Sequence, residues 1–213
     1  NISWKEAVFQ LNNPKNIKKK GSFLNRLIFD EILSTFLINS KIRKAIKKTK
    51  KIKKKFDDSK LNTIKNNINF KLTNDQEKAI SEINSDLRSE SKMFRLLQGD
   101  VGSGKTIVAM VACSNVISSN FQVGFMAPTE ILANQHYQLA KKILGKNINI
   151  SLLTSKTEPK IRKKILKDLS ENKVNLLIGT HSLFQKKINY YKLGLIIIDE
   201  QHKFGVNQRK KLS

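Results

Sequence analysis

The sequence predicts an α/β fold, a parallel sheet with helices on both faces, preceded by a basic helical segment. Three observations lead to this prediction. From residue 94 to residue 199, short apolar runs alternate with longer segments, which is typical of strand–helix units in a parallel sheet. The stretch Gly99 to Thr106 reads GDVGSGKT and fits the phosphate-binding pattern G-x-x-x-x-G-K-[ST]. An apolar run, Leu195 to Ile198, ends in the acid pair Asp199 and Glu200.

Residues 1–66 form the first predicted region, a basic helical segment. It holds 18 Lys and Arg against 5 Asp and Glu, whereas the longer remainder holds 23 against 12. Apolar residues recur near helical spacing, which predicts one long helix or two in tandem over about 23–56. The lysine run 47–55 would be its solvated basic face, serving either contact with a phosphate backbone or solubility alone. The Asn-rich residues 62–69 are expected to link this region to the second one, 67–213.

The second region opens with a helix predicted over 74–88. Thr73 and Gln76 have the spacing of a capping box, which is a complete structural explanation for both residues. A second task is open to Gln76, because its side-chain amide could read the edge of an adenine. Periodicity then predicts the remaining elements: strands near 94–98, 122–127, 148–153, 175–179 and 194–199, and helices near 105–119, 130–145 and 158–171.

The phosphate loop, residues 99–106, predicts nucleotide binding. Its glycines allow the backbone to approach phosphate oxygens, and the N–H groups of the following helix point at the anion. Lys105 would reach the β- and γ-phosphates, and the Thr106 hydroxyl would ligate Mg²⁺. A chance glycine-rich turn is the alternative, and the flanking apolar segments disfavour it. The predicted nucleotide-binding residues are Gln76, Gly99, Asp100, Val101, Gly102, Ser103, Gly104, Lys105 and Thr106.

The acid pair supplies what a nucleotide-hydrolysing site needs opposite the phosphate loop. Asp199, at the carboxyl end of its strand, would hold Mg²⁺. Glu200 would orient and polarise the water that attacks the γ-phosphate. An ordinary surface turn is the alternative for the pair by itself, and the preceding phosphate loop weighs against it.

Composition limits the remaining possibilities. The formal net charge is +24 and the sequence pI is about 10.1, which indicates a polyanionic partner, nucleic acid first, or a compositionally biased genome. The single cysteine, Cys113, excludes an internal disulfide framework and a cysteine-based zinc site. The three histidines are too scattered for a metal-site pattern. No apolar stretch approaches the length of a membrane span, and we expect a reducing, cytoplasmic setting.

The motifs resemble those of the superfamily-two helicases of the DExH kind. Asp199-Glu200-Gln201-His202 has the DEQH form of motif II, Ala127 to Glu130 matches motif Ia, Gly179 to His181 matches motif Ib, and Gln76 stands where the Q motif would. Longer stretches are similar to the RecG family of bacterial DNA helicases: LLQGDVGSGKT (96–106), MAPTEILANQHY (126–137), IGTHSLFQ (178–185) and LGLIIIDEQHKFGVNQR (193–209). The transcription-repair coupling translocases share part of this wording but usually carry DEEH.

The resemblance implies a RecA-like P-loop NTPase domain that uses ATP and Mg²⁺ to drive movement on double-stranded and branched DNA. This motor would remodel stalled replication forks and branched junctions in repair and recombination. The basic segment 1–66 would join a DNA-gripping wedge domain to this motor. Four residues would be catalytic: Lys105, Asp199, Glu200 and His202. His202 would link the nucleotide site to the DNA-facing surface, and a capping or packing histidine is the alternative. Contacts with the DNA backbone would come from Thr129, Gly179, Thr180 and His181.

The chain ends soon after motif II, so we expect a fragment without the second RecA-like domain and the wedge domain. Such a fragment would bind nucleotide and DNA with little turnover. Two alternatives stay open. One is a non-catalytic nucleic-acid-binding module with a vestigial phosphate loop, and the other is an RNA helicase.

Overall fold

The computed structural model describes residues 2–12, 20–48, 50–56, 59–68, 70–180, 183 and 188–200. The chain divides into two compact units, residues 1–51 with 91–94 and residues 52–90 with 95–213. The boundary between residues 66 and 67 stays a prediction. None of the described helices is long and apolar enough to cross a membrane.

The first unit contains two helices, α1 (Trp4–Asn12) and α2 (Lys20–Lys48). Ala7 of α1 and Phe23 of α2 are buried where the two helices pack together. Helix α2 ends at Lys48, so the prediction of a helix reaching residue 56 was wrong. Continuing the helix would set lysines of the run 47–55 three and four residues apart, a spacing at which like charges destabilise it. Lys50 instead forms an antiparallel bridge with Ser91.

The second unit is built on a parallel sheet of four strands in the order β2-β3-β1-β4. Its strands are β1 (Gln122–Met126), β2 (Ile150–Leu153), β3 (Leu176–Gly179) and β4 (Leu193–Ile198). Its helices are α3 (Ser59–Asn67), α4 (Asn74–Arg88), α5 (Lys105–Ser118), α6 (Glu130–Leu144) and α7 (Pro159–Ser170). Apart from α3, each of these elements was predicted within two residues at either end.

Helices cover both faces of the sheet. Neighbouring residues of a strand point to opposite faces, so two consecutive residues of one strand show what covers each face. On the interior strand β1, Phe125 faces α6, where its ring centroid lies 4.8 Å from that of His136. The next residue, Met126, belongs to a buried cluster that includes Leu169 of α7. The predicted parallel sheet with helices on both faces is therefore confirmed.

Two secondary-structure predictions were wrong. The segment predicted as an Asn-rich linker, 62–69, overlaps α3 (Ser59–Asn67). Ile64 of this helix is buried, and the Asn67 amide donates to the Ile143 carbonyl at 2.8 Å. Residues 94–98, predicted as a buried strand, form no strand, and Leu96 is 68% exposed. Arg95 is instead held by Glu82 and Asp86 of α4, at 2.6 and 2.8 Å. These ion pairs tie the segment to a helix surface rather than to the sheet.

Lys54 also differs from its prediction as part of a solvated face. Lys54 is only 5% exposed, and its ammonium group lies 3.7 Å from the centroid of the Phe121 ring. Its backbone N–H donates to the Leu87 carbonyl at 3.2 Å. The methylene stem and the ring attraction together allow this lysine to cover apolar surface.

Candidate nucleotide-binding site

The phosphate loop joins the segment after α4 to the first turn of α5. A turn closes where the Ser103 N–H donates to the Asp100 carbonyl at 3.1 Å. Gly102 and Gly104 adopt φ angles of 81° and 78°, a region where glycine alone is unstrained. Helix α5 begins at Lys105, so its unpaired N–H groups and the positive end of its dipole face the loop. This arrangement suits a bound anion.

Lys105 holds its charge inside the phosphate loop. Its ammonium group donates to the carbonyls of Gly99 and Asp100, each at 2.7 Å, and lies 3.5 Å from the Ser103 hydroxyl. Thr106 follows on the first turn of α5 and is half-buried. The loop therefore presents a fixed cation and a hydroxyl oxygen side by side.

Gln76 connects α4 to the phosphate loop. The predicted capping box is present, because Gln76 N–H donates to the Thr73 hydroxyl at 3.3 Å and the Gln76 amide oxygen accepts from Thr73 N–H at 3.0 Å. The Gln76 amide nitrogen donates to the Ser103 carbonyl at 2.9 Å. Both ends of the amide thus have protein partners, and the reading of adenine by this side chain stays a prediction.

Asp199 lies at the carboxyl end of β4, where its N–H extends the sheet ladder to the Met126 carbonyl at 2.8 Å. A carboxylate oxygen lies 2.8 Å from Nε2 of His136. This hydrogen bond is the main reason that the pKa of Asp199 is lowered, and the positive charge of Lys105 adds to the effect. These contacts keep the Asp199 carboxylate in its charged form, and its expected role beside the phosphate loop stays a prediction. Glu200 follows with a φ of 51°, in the left-handed region.

His136 is the site residue that sequence reasoning missed. It lies on α6, seven residues after the Thr129 cap, and is 7% exposed. The sequence offers one signal for its burial, since the helical pattern turns it toward the sheet. Nothing local indicates its partner, because Asp199 is 63 residues away in the chain.

The predicted DNA-contacting residues lie in different surroundings. Thr129 is exposed and caps α6, with its hydroxyl accepting from Leu132 N–H at 3.2 Å. Gly179 and Thr180 are buried at the end of β3, and a Cβ on Gly179 would overlap the Leu153 carbonyl. His181 and His202 lie outside the described residues. The DNA contacts stay predictions, as do all the other assigned residue roles.

The oxygen donors of this site fit a magnesium ion. Thr106 supplies a hydroxyl and Asp199 a carboxylate whose lowered pKa keeps it charged, and such hard ligands suit Mg²⁺. Among the described residues, no group of three or more His, Cys, Asp or Glu could hold a metal ion. An ion here would therefore need further oxygens from water and nucleotide phosphates, which is the usual pattern for Mg²⁺.

Comparison with known proteins identifies the family of this chain. The family described as DEAD/DEAH box helicase matches residues 73–213. The chain is 44% identical over 213 residues to ATP-dependent DNA helicase RecG of Aquifex aeolicus, and 42% identical over 209 residues to that of Thermotoga maritima. These alignments cover 97% and 98% of this chain but 27% of each relative. The chain thus spans about a quarter of the length of the curated relatives it matches.

A solved structure shows the same fold. "Structure of RecG bound to three-way DNA junction" superimposes with a TM-score of 0.75 at 40% identity, covering 94% of this chain and 28% of that one. The RecA-like arrangement expected from the motifs is confirmed by this similarity.

Proposed function

The chain belongs to the DEAD/DEAH box helicase family, and on that premise we propose that it is the first motor domain of a RecG-type ATP-dependent DNA helicase. The observation that carries the proposal is the phosphate loop itself, in which Gly102 and Gly104 adopt φ angles of 81° and 78° and the Lys105 ammonium group is held at the start of α5. Asp199 supplies a carboxylate at the carboxyl end of β4. A cation for the phosphates and a carboxylate for their metal ion are the two groups that phosphoryl transfer requires to be close together.

Each residue has a proposed task in nucleotide binding and hydrolysis. The amide groups of the phosphate loop and Lys105 bind the β- and γ-phosphates, while Thr106 and Asp199 hold Mg²⁺. Bound Mg²⁺ would neutralise charge that develops on the phosphate oxygens. Glu200 orients the attacking water and accepts its proton. Gln76 reads the adenine, and His202 links the site to the DNA-facing surface.

Double-stranded and branched DNA is the proposed partner. The net charge of +24 supports it, because phosphate contacts dominate the affinity of nucleic-acid-binding proteins. The RecG structure named above contains a three-way DNA junction. Thr129, Gly179, Thr180 and His181 are proposed to contact the DNA backbone, which suits a motor that moves without regard to sequence. Of the three that the structure describes, Thr129 alone is exposed and is the first to test.

We further propose that the complete motor needs parts that lie outside these 213 residues. A second RecA-like domain would close over the nucleotide and supply an arginine finger, which contributes about 10³–10⁵ in rate in related systems. A wedge domain would grip the branch point, with residues 1–66 joining it to the motor domain 67–213. The 213-residue chain alone should then bind nucleotide and DNA but hydrolyse ATP slowly. The cytoplasm is the proposed location of the protein.

Two measurements on the purified chain test this proposal. The first is the affinity for a fluorescent three-way junction at several salt concentrations, with two junctions of equal shape and scrambled sequence. We expect equal affinities that fall steeply with salt, and weaker competition by duplex RNA than by duplex DNA. Preferential binding of RNA would favour the RNA helicase alternative.

The second measurement is the rate of ATP hydrolysis with and without that junction, with Glu200→Gln as the control. We expect a rate close to that of the control variant. A hydrolysis rate well above that of the control variant, or efficient strand separation by the chain alone, would contradict the proposed need for further domains.

A further inference from the structure

His136, on α6, and Asp199, at the end of β4, form a hydrogen-bonded pair. Nε2 of His136 and a carboxylate oxygen of Asp199 lie 2.8 Å apart, with the side chains 9% and 28% exposed. A charged carboxylate this close to a deeply buried imidazole needs a donor from it to offset the loss of water. The pair therefore joins the interior of α6 to the end of β4.

Strand β1 fixes both partners of this pair. The ring of His136 rests against Phe125 of β1 at a centroid distance of 4.8 Å and an angle of 44°. The next residue of the strand, Met126, accepts the backbone N–H of Asp199 at 2.8 Å. Adjacent residues of one interior strand thus support the imidazole and the backbone of the acid, which leaves little freedom in the distance between them.

We propose that His136 is a positioning residue that fixes the Asp199 carboxylate for the Mg²⁺ of a bound nucleotide. The proposal rests on the function proposed above. A carboxylate at a strand end can rotate about two side-chain bonds, and an N–H donor on one oxygen removes that freedom before the ion arrives. Groups that hydrogen-bond to metal ligands in this way typically contribute 10–100-fold in metal affinity or activity. A purely structural histidine would instead affect folding and leave the metal dependence unchanged.

The experiment measures how nucleotide binding depends on Mg²⁺. The chain is titrated with a fluorescent ADP analogue at fixed MgCl₂ concentrations and in EDTA, and the Mg²⁺ concentration giving half of the maximal gain in affinity is the Mg²⁺ midpoint. His136→Phe keeps a ring against Phe125 but loses the donor, so we expect the midpoint to rise about 10–100-fold. Binding in EDTA should not change. Tyr137→Phe, on the next residue of α6, is the matched control and should leave the midpoint unchanged.

Two amide variants guard against a folding defect in His136→Phe. The side chain of His136→Gln is long enough to return an N–H donor near the place of Nε2, whereas that of His136→Asn is shorter by one methylene. We expect the Gln variant to restore the midpoint to within a few-fold of the wild type and the Asn variant not to. In an Asp199→Asn background, His136→Phe should produce no further rise, because the group that it positions is altered.

The outcomes separate this proposal from the proposed function. Equal midpoints for the wild type and a folded His136→Phe variant, or for the Gln and Asn variants, would overturn the positioning role while leaving nucleotide binding intact. Wild-type binding that ignores Mg²⁺, or that Asp199→Asn does not alter, would overturn both the role of His136 and the assignment of the metal site.

Discussion

Gly104→Ala is expected to disturb the phosphate loop more than Gly102→Ala does. Both glycines have φ angles near +80°, at 78° and 81°, where an L-residue is disfavoured by about 1–2 kcal/mol. Their surroundings differ. A Cβ at Gly102 would meet nothing within 4 Å, whereas a Cβ at Gly104 would overlap the amide nitrogen of Gln76.

The size of the difference follows from what holds Gln76 in place. Its amide donates to the Ser103 carbonyl at 2.9 Å and accepts from the Thr73 N–H at 3.0 Å, and each bond contributes about 0.5–1.5 kcal/mol net. Moving Gln76 aside sacrifices both. Gly102→Ala should therefore destabilise the binding-competent loop by about 1–2 kcal/mol and Gly104→Ala by about 2–5 kcal/mol. The extra penalty corresponds to about 5–150-fold in nucleotide affinity.

The assay is equilibrium binding of a fluorescent ADP analogue to both variants, each made also in a Gln76→Ala background. Removing the Gln76 amide removes the overlap, so in that background the Gly104→Ala penalty should shrink to that of Gly102→Ala. Circular dichroism checks that all variants fold. Equal penalties for the two glycines in the wild-type background would refute the steric reasoning, as would a Gly104→Ala penalty that Gln76→Ala leaves unchanged.

Three further predictions concern the core beneath the site. Gln122 is fully buried, and its amide donates to two backbone carbonyls at 2.8 Å and accepts a backbone N–H at 3.1 Å. Gln122→Met should therefore lower the free energy of unfolding in urea by about 2–4 kcal/mol, and a loss below about 0.5 kcal/mol would show that these groups find other partners. Gly179→Ala should lower the free energy of unfolding by about 3 kcal/mol or more in the same assay, because its Cβ would overlap the Leu153 carbonyl of the neighbouring strand. Near-wild-type stability would contradict the pairing of Leu153 with Gly179. Cys113 is buried, and burial raises the pKa of its thiol. A thiol reagent at pH 8 should therefore label the protein only after unfolding in guanidinium. Rapid labelling of the native chain would place this residue at the surface.

Sequence reasoning succeeded where structure depends on residues close together in the chain. The capping box of Thr73 and Gln76 predicts the start of α4, because both of its hydrogen bonds span three residues. The phosphate loop likewise needs only its own glycines and the helix that follows. Alternating apolar runs gave the parallel sheet, since a strand buried on both faces must be apolar along its whole length.

Sequence reasoning failed where the structure of a segment depends on residues far away in the chain. Residues 94–98 have the composition of a buried strand, yet Arg95 binds two carboxylates of α4 and no ladder forms. The lysine run looks solvated, yet Lys54 covers the ring of Phe121. The sequence places His136 63 residues from Asp199, and their pairing depends on how α6 and β4 pack in the fold. Periodicity shows which face of an element is buried but does not identify what it touches.

The central claim is that the phosphate loop, with Lys105 and the acid Asp199, forms a working nucleotide site. The most direct test is a calorimetric titration of the purified chain with Mg²⁺-ATP, alongside Lys105→Ala. Lys105 supplies the cation that its loop holds at 2.7 Å from two carbonyls, so the account predicts saturable binding by the wild type that disappears in the variant. Equal binding by both proteins, or none by a folded wild-type chain, would contradict it.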